Sequence, residues 1–143
     1  MTVKQLSIFV ENKSGRMAEI TGKIAQAGID IRALSIADTT DFGILRLIVD
    51  KPEEAITALQ DKGMTVSLTE VIAVQIVDEP GGFAKAVRLL ADNGVGIEYM
   101  YAFICRQQGK ACVIIRVEDN KLAEKVLKSN DFGMLSQEQI CLM

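Results

Sequence analysis

Apolar and polar residues alternate along several short stretches of the chain, which is the pattern of a strand with one buried face. Leu6, Ile8 and Val10 show this spacing of two, and it recurs over residues 113–117. In other stretches the apolar residues stand three or four positions apart, as they do on one face of a helix. The stretch 82–92 is the clearest example, with Phe83, Val87 and Leu90 expected on its inward face. The chain therefore predicts a mixture of strands and helices.

Glycine and proline mark the limits of these elements. Asn93-Gly94 ends one helix, because glycine readily takes the left-handed conformation of a helix C-cap, and Gly63 ends another. Pro52 suits the first turn of a helix. The predicted elements, in chain order, are strand 4–10, helix 16–27, strands 31–37 and 43–50, a helix from Pro52, strands 64–69 and 71–77, helix 82–92, strands 97–105 and 110–117, helix 120–129 and a last strand near 133–140, with turns at 39–41, 107–109 and 131–133.

This order of elements occurs twice, because the second half of the chain repeats the first. The stretches NKSGRMAEITGKIAQAGIDIRAL (12–34) and DEPGGFAKAVRLLADNGVGIEYM (78–100) align with a shift of 66 residues, which places Gly15 on Gly81. In the later strands the shift becomes 68, as a two-residue insertion in a hairpin would produce. We interpret the repeat as the duplication of a small domain, since its length is too great for a solenoid unit.

Each copy has the order βαββαβ, which predicts a ferredoxin-like α+β domain with four antiparallel strands covered on one face by two helices. The predicted domains are 1–70 and 71–143. No linker separates them, because Thr69-Glu70 leads directly into the next strand. Domains of this size are only marginally stable alone. We therefore expect them to share an interface with each other or with a second chain, in a homodimer or a higher homo-oligomer.

Composition and charge exclude several classes of function. The formal net charge is −3 and basic residues are scattered, which disfavours nucleic acid as a partner. No apolar run approaches the roughly 18–20 residues that span a bilayer, and the first residues are too polar for a signal peptide. Three cysteines without a disulfide framework agree with a reducing compartment. These features predict a cytoplasmic protein.

The chain contains no histidine. A Ser–His or Cys–His nucleophile pair is therefore impossible, and the commonest neutral metal ligand is missing. Acidic residues at predicted turns, Asp30 and Asp131 among them, are interpreted as ordinary surface charges. We expect neither a catalytic site nor a metal or cofactor, and a small enzyme on this scaffold is the least favoured interpretation.

Cys105 and Cys112 have a more specific placement. If Gln108-Gly109 forms a two-residue hairpin turn, the two cysteines face each other across neighbouring strands. A redox or metal pair is one interpretation of this arrangement. Burial as small apolar side chains is favoured, because Cys141 is remote in sequence and the chain has no C-x-x-C motif that would add ligands.

The loops that precede the first helix of each copy are rich in glycine. A helix start exposes unpaired backbone N–H groups and the positive end of the helix dipole, which suits a carboxylate or phosphate. Glycine at positions 15, 81 and 82 allows close approach to the main chain. Asn12 and Asp78 stand three positions earlier and could accept hydrogen bonds from an ammonium group. Equally, they could cap the turn or the helix.

In this repeated βαββαβ frame, the two glycine-loop stretches quoted above resemble the ACT domain family of regulatory, amino-acid-binding modules. The resemblance covers nearly the whole chain as two copies. It implies a ligand between paired domains, held by the loop after the first strand and by the start of the second strand of a neighbouring domain. The implied positions are Asn12, Gly15, Arg16 and Met17 with Asp78, Gly81, Gly82 and Phe83 in the loops, and Asp30 and Ile31 with Gly96 and Ile97 in the second strands.

Copy one departs from the family pattern, because Ser14 stands where proline is expected and Arg16 follows the glycine. The resemblance implies a non-catalytic regulatory protein that binds a small ligand, an amino acid, and acts allosterically on a metabolic enzyme or on its own assembly. The alternative is a structural or regulatory subunit that docks a partner through its sheet and binds no metabolite.

Overall fold

The computed structural model describes residues 1–38, 41–61 and 63–143, so the predicted turn at Thr39-Thr40 lies outside the described residues. The described chain forms strands and helices in the predicted order, except that two predicted strands are joined into one and a helix is added at the end. The elements are β1 (Val3–Glu11), α1 (Arg16–Gln26), β2 (Ile31–Asp38), β3 (Phe42–Val49), α2 (Pro52–Gln60), β4 (Val66–Val77), α3 (Gly82–Asp92), β5 (Ile97–Phe103), β6 (Lys110–Val117), α4 (Asn120–Ser129), β7 (Gly133–Leu135) and α5 (Gln137–Cys141).

The chain divides into two compact units. Residues 4–69 form what we call the N-terminal unit, and residues 70–143 with 1–3 form the C-terminal unit. In the N-terminal unit, β3 pairs with both β1 and β2. In the C-terminal unit the strand order is β7-β4-β6-β5. All of these pairs are antiparallel, so the predicted α+β class with antiparallel strands is confirmed.

Each unit has its own apolar core between its sheet and its two longer helices. In the C-terminal unit, alternate side chains of β4 and β6 pack against Leu90 of α3 and Leu127 of α4, which are 1% and 0% exposed. The N-terminal unit repeats this arrangement with Ile20 and Ile24 of α1 and with Leu59 of α2. The apolar residues spaced by two along the strands and by three or four along the helices thus pack together in one core per unit, as the sequence patterns predict.

Strand β4 differs from the prediction, because residues 66–77 form one continuous strand instead of two strands at 64–69 and 71–77. The stretch around Thr69-Glu70 contains neither glycine nor proline, so nothing in the local sequence interrupts the extended backbone. The first copy therefore continues into the second without leaving the strand.

The C-terminal residues also differ from the prediction of a strand near 133–140. Strand β7 has three residues and is followed by the short helix α5. A capping box starts this helix: the Ser136 hydroxyl accepts a hydrogen bond from the Gln139 N–H (3.1 Å), and the Gln139 amide oxygen accepts one from the Ser136 N–H (2.8 Å). These two bonds satisfy N–H groups that a helix start leaves unpaired.

The inward face of α3 is centred elsewhere than predicted. Phe83, Val87 and Leu90 were expected to form it, but the buried residues are Ala86 and Leu90. Phe83 keeps 43% of its surface exposed at the first turn of the helix. This exposure leaves its ring available beside the glycine loop.

Candidate functional site

The two glycine loops, residues 12–15 and 78–81, have the same backbone conformation. Gly15 has φ 84° and ψ −9°, and Gly81 has φ 85° and ψ −9°. Both angles lie in the left-handed region, where a side chain is strained. The N-cap residue of each following helix is this glycine, which has no side chain to cap the helix. Each helix presents the positive end of its dipole at the loop.

Backbone hydrogen bonds fix both loops in the same way. In each loop, one N–H turns back to the end of the first strand, a second closes the turn at the helix start, and a third joins the loop to the β-hairpin. The bonds of the first kind are Lys13 N to Glu11 O (2.8 Å) in the first loop and Glu79 N to Val77 O (3.0 Å) in the second. Those of the second kind are Arg16 N to Lys13 O (3.2 Å) and Gly82 N to Glu79 O (3.0 Å). Those of the third kind are Asn12 N to Asp41 O (2.9 Å) and Asp78 N to Gly109 O (3.0 Å).

The adjacent glycines of the second loop have different functions in the structure. A Cβ atom on Gly81 would meet no atom within 4 Å, so Gly81 is required for its backbone angle and faces open space. A Cβ atom on Gly82 would stand 2.1 Å from the carbonyl oxygen of Val77. Gly82 is therefore required by the close packing of the loop on β4. Arg16 occupies the corresponding position in the first loop.

A surface pocket lies beside each loop, with a volume of about 390 Å³ in the N-terminal unit and 360 Å³ in the C-terminal unit. The two pockets use corresponding positions of the repeat. Seven such pairs line them: Phe9 and Gln75, Glu11 and Val77, Arg16 and Gly82, Glu19 and Lys85, Phe42 and Lys110, Gly63 and Asp131, and Met64 and Phe132.

The pocket wall that follows the second helix of each copy was not among the predicted site residues. Gly63 and Asp131 both have positive φ values, 76° and 62°, and the next residues, Met64 and Phe132, line the pockets. The 68-residue shift relates these positions, so the repeat contained the signal for this wall. Applying the shift to the turns, and not to the strands and helices alone, would have identified it.

The charged side chains of the N-terminal pocket pair with one another. Arg16 lies 3.1 Å from Glu19 and 3.8 Å from Glu11. The hydrogen bond from Lys13 holds the pKa of Glu11 below its usual value, with further contributions from the positive charges of Lys13 and Arg16. The pKa of Glu19 is also lowered, chiefly by its hydrogen bond with Lys23. The first loop therefore has its charges internally compensated.

The C-terminal pocket contains charges of both signs without such pairing. Glu79, Lys85, Lys110 and Asp131 line it, and within the part of the chain that the structure describes none of them forms an ion pair. The exposed carboxylate of Asp78 stands at the start of the same loop. This pocket offers cationic groups for a carboxylate and anionic groups for an ammonium group, which are the two ends of an amino acid.

Comparison with known families agrees with the duplicated architecture. The model of the ACT domain pair matches residues 1–143. The chain belongs to the ACT domain pair family.

Three known proteins illustrate the similarity of this ACT domain pair. A protein from Bacteroides thetaiotaomicron of known crystal structure is 40% identical, with a TM-score of 0.93 over 100% of this chain and 98% of its own. The ligand-free regulatory subunit of aspartate kinase from Thermus thermophilus is 20% identical, with a TM-score of 0.67 over 90% of this chain and 92% of its own, a likeness of fold. The acetolactate synthase small subunit of Buchnera aphidicola subsp. Baizongia pistaciae is 24% identical over 66% of this chain and 59% of its own length.

The second-strand positions of the ACT domain pair lie away from the loop of their own unit. Helices α1 and α3 each have 11 residues, a length of roughly 16 Å at ~1.5 Å per residue. Each helix has its glycine loop at one end and the start of the next strand, Asp30-Ile31 or Gly96-Ile97, beyond the other. One unit by itself therefore does not bring the two parts of the predicted site together.

The second-strand positions also have local contacts of their own. The Asp30 carboxylate lies 2.8 Å from the Arg32 guanidinium, and the Asp30 N–H donates to the Asp50 carboxylate (2.9 Å). A Cβ atom on Gly96 would stand 3.1 Å from a carboxylate oxygen of Glu118. In both copies an acidic side chain that follows the third strand, Asp50 or Glu118, thus approaches the start of the second strand. Ile31, Ile97 and the loop residue Met17 pack partly buried against their cores.

The cysteine pair of the ACT domain pair is placed differently from the prediction. Phe103 is the residue opposite Cys112, so the connection between β5 and β6 covers residues 104–109 and is not a two-residue turn. Cys105 lies in this connection and is partly exposed, whereas Cys112 is fully buried. Burial, with smaller contributions from Cys105, raises the pKa of Cys112 to about 12.

None of the helices in the described residues is both long and apolar enough to cross a membrane.

Proposed function

We propose that this ACT domain pair is a regulatory protein that binds a small amino acid at its glycine loops. In this proposal, residues 1–70 and 71–143 are two ACT-like domains. The observation that supports it most directly is the repetition of one loop geometry, with the same hydrogen bonds and an adjoining pocket, in both units. The similarity to regulatory subunits of aspartate kinase and acetolactate synthase supports a regulatory function.

The chemistry of the second loop suits an amino acid. The start of α3 lacks a side-chain cap, so its N–H groups and its dipole favour a carboxylate. Gly81 leaves open space for the ligand to approach the backbone, and Phe83 adds an exposed ring. The Asp78 carboxylate accepts hydrogen bonds from the ammonium group. A ligand held in this way is recognised by its backbone atoms and is selected by its side chain.

The remaining part of the site comes from another ACT-like domain. Positions Asp30-Ile31 and Gly96-Ile97 stand at the far ends of the helices from their own loops, so a site that combines loop and second strand joins two domains. A ligand that contacts both domains binds best to one arrangement of them and stabilises that arrangement. This coupling transmits the presence of the amino acid to the partner enzyme or to the protein's own assembly.

The two loops differ in affinity in this proposal. The first loop has Arg16 in place of a glycine, and its charged groups are already paired with one another. A carboxylate ligand there competes with Glu11 and Glu19 for Arg16. We therefore expect the second loop to bind the ligand first and the first loop to bind it weakly or to bind a different one.

A thermal-shift screen against the twenty amino acids tests the proposal. A ligand that binds only the folded state adds about 2.7 kcal/mol at a hundred times its Kd, a shift that is easily measured. We expect one amino acid or one chemical group of them to raise the melting temperature. A folded protein that responds to none of them contradicts amino-acid binding.

Two glycine substitutions then locate the site. Gly81→Ala puts a side chain at the left-handed position of the second loop, and Gly94→Ala puts one at a left-handed position at the other end of the same helix. Both glycines have open space around them, so the two variants lose similar stability. We expect Gly81→Ala alone to weaken binding in titration calorimetry. Equal affinities in the two variants would place the ligand elsewhere.

A second function, docking of a partner through the sheet without a metabolite, is supported by one feature of the N-terminal unit. Phe9 and Phe42 expose 54% and 46% of their surface, and their ring centroids are 5.6 Å apart. The corresponding residues of the other copy are Gln75 and Lys110. Exposed, adjacent aromatic rings are typical of interaction surfaces.

The double substitution Phe9→Gln and Phe42→Lys tests this alternative, because it introduces the residues of the second copy. Aspartate kinase and acetolactate synthase catalytic chains from the same source are the first partners to try. If docking alone is the function, the variant loses complex formation in sedimentation while no amino acid alters that complex. A saturable amino-acid effect on the wild-type assembly instead supports the ligand-binding function.

A further inference from the structure

The turn after α4 has an aspartate at a left-handed backbone position. Asp131 has a φ of 62°, and among the residues that the structure describes it is the one non-glycine residue with a positive φ. Its N–H donates to the Lys128 carbonyl (3.3 Å), and the N–H of Phe132 donates to the Leu127 carbonyl (3.0 Å). These two bonds form the common helix C-terminal motif in which the left-handed residue is usually glycine.

The first copy has glycine at the same place. Gly63 has a φ of 76°, and its N–H donates to the Gln60 carbonyl (2.9 Å). The N–H of Met64 donates to the Leu59 carbonyl (3.3 Å). The shift of 68 residues relates each of these groups to its counterpart in the second copy. At this position the two turns therefore differ by a carboxylate side chain on the same backbone.

Two effects make a carboxylate side chain unfavourable at Asp131. The left-handed conformation strains any residue that has a Cβ atom, and a negative charge after the end of α4 faces the negative end of the helix dipole. Aspartate tolerates this conformation best where its side chain forms a local hydrogen bond. Within the described part of the chain, the Asp131 carboxylate has no hydrogen-bond or ion-pair partner. The turn itself therefore does not explain the aspartate.

The position of Asp131 in the C-terminal pocket does explain it. The glycine loop 79–82 and the turn 130–132 both line this pocket of about 360 Å³. Strain that a glycine would relieve, held at a pocket wall, is typical of a residue kept for binding. We propose that the Asp131 carboxylate binds the cationic group of a small ligand in this pocket. The assignment rests on the proposed amino-acid binding and adds to it the residue that selects for a positive charge.

The cationic group has two sources in an amino acid, the α-ammonium group and a basic side chain. Either one donates charge-assisted hydrogen bonds to a carboxylate. The N-terminal pocket has Gly63 at this wall, and its own acidic residues Glu11 and Glu19 already pair with Lys13 and Lys23. Selection for a positive charge is therefore a property of the second pocket.

The stability of two variants tests the structural half of the argument. Asp131→Gly removes both the strain and the charge, whereas Asp131→Asn removes the charge and keeps a residue that tolerates the left-handed backbone. Without added amino acid, both should melt a few degrees above the wild type, with the larger increase for glycine. Asp61→Asn is the control, because it removes an exposed negative charge at the end of α2 in the other unit.

Titration calorimetry tests the binding half. Each of the twenty amino acids that raises the melting temperature of the wild type is titrated into the wild type and the three variants, alongside the 2-hydroxy acid with the same side chain. We expect both Asp131 variants to bind the amino acid roughly tenfold more weakly or worse, and Asp61→Asn to bind it as the wild type does.

The pattern of responses identifies the source of the charge. If Asp131 binds the α-ammonium group, the wild type prefers a neutral amino acid to its hydroxy acid, and both Asp131 variants lose that preference. If Asp131 binds a basic side chain, lysine or arginine alone gives a response in the wild type, and the variants lose it. Each pattern supports the proposal.

Three results would overturn the assignment of Asp131 while amino-acid binding by the wild type stands. The first is wild-type affinity in both Asp131 variants, and the second is an equal loss for a neutral amino acid and its hydroxy acid. The third is a melting temperature of Asp131→Gly below that of the wild type, which would give the carboxylate a structural function. A wild type that responds to no amino acid contradicts the proposed function itself, and this assignment with it.

Discussion

Replacing Gly82 with alanine tests the structural account of the second loop most directly. Alignment of the two copies suggests that a side chain is tolerated at this position, because Arg16 occupies it in the first copy. The structure predicts the opposite, since the new Cβ atom would stand 2.1 Å from the Val77 carbonyl oxygen. An ordinary contact begins near 3.4 Å, so the loop or the helix start must move by more than an ångström.

The expected cost is the difference of two opposing effects. Crowding of a packed site typically costs about 1–3 kcal/mol. Alanine is favoured over glycine by about 1 kcal/mol in a helix interior, and by less at the first helical position that Gly82 occupies. We therefore expect Gly82→Ala to lower the free energy of unfolding by about 1–2 kcal/mol.

Gly22→Ala is the matched control, because it makes the same chemical change in the middle of α1. A Cβ atom there meets nothing within 4 Å, and the backbone is helical. Alanine should raise the free energy of unfolding by roughly 0.5–1 kcal/mol at such a position. The two glycine-to-alanine variants should therefore change stability in opposite directions.

Urea unfolding provides the assay, with circular dichroism for both units and tyrosine fluorescence for one. The chain has no tryptophan, and its two tyrosines, Tyr99 and Tyr101, both lie on β5 of the C-terminal unit. The Gly82→Ala transition should move to lower urea in both signals. A midpoint equal to or above that of the wild type would refute the close contact with Val77.

Three further predictions concern caps, core and charge. Asp119→Ala removes the acceptor of the Leu122 N–H at the start of α4 (3.1 Å), and should lower the free energy of unfolding by about 1 kcal/mol in urea titration, while Asp119→Asn largely preserves it. Leu90→Ala in the core should lower the free energy of unfolding by about 2–5 kcal/mol in the same measurement. Leu122→Ala should lower it much less, because Leu122 is partly exposed. Lys13→Ala should let the pKa of Glu11 rise towards its usual value in an NMR titration, because Lys13 is the main cause of its lowered pKa; the Glu11 interaction stabilises the fold near neutral pH and is lost as the pH falls through that lowered pKa.

Local patterns were sufficient to predict most elements of the fold. Helices 82–92 and 120–129 and strand 110–117 have the predicted bounds, because clear turn residues flank each of them. The sequence also contained the signal for α5, since Ser136 and Gln139 have the spacing of a capping box. A strand was predicted near 133–140 because the first copy ends in a strand, and the capping box was given less weight. The repeat does not extend to the last residues, so that prediction was wrong there.

The features that could not be predicted depend on distances between segments remote in sequence. Gly81 and Gly82 are alike in the sequence. Only the position of the Val77 carbonyl shows that Gly82 is required by a close contact, whereas Gly81 is required by its backbone angle. The placement of Cys105 in the connection after β5, with Phe103 opposite Cys112, likewise depends on strand register, which a hairpin of uncertain length leaves open. Charge pairing around Arg16 depends on side-chain conformations that spacing alone does not define.

Strand β4 has a consequence for how the gene of such a protein can evolve. Side chains on a strand point alternately to the two faces, and Val66, Ile72, Val74 and Ile76 of β4 all pack into cores. A codon inserted or deleted between Thr69 and Glu70 would shift the phase of alternation between Val66 and Ile72, which lie on one face of the continuous strand, while residues 72–77 would keep their pairing with β6. Two codons would preserve the phase. Length differences among descendants of this duplication should therefore accumulate in the hairpins and be rare, and even in number, at the junction of the copies.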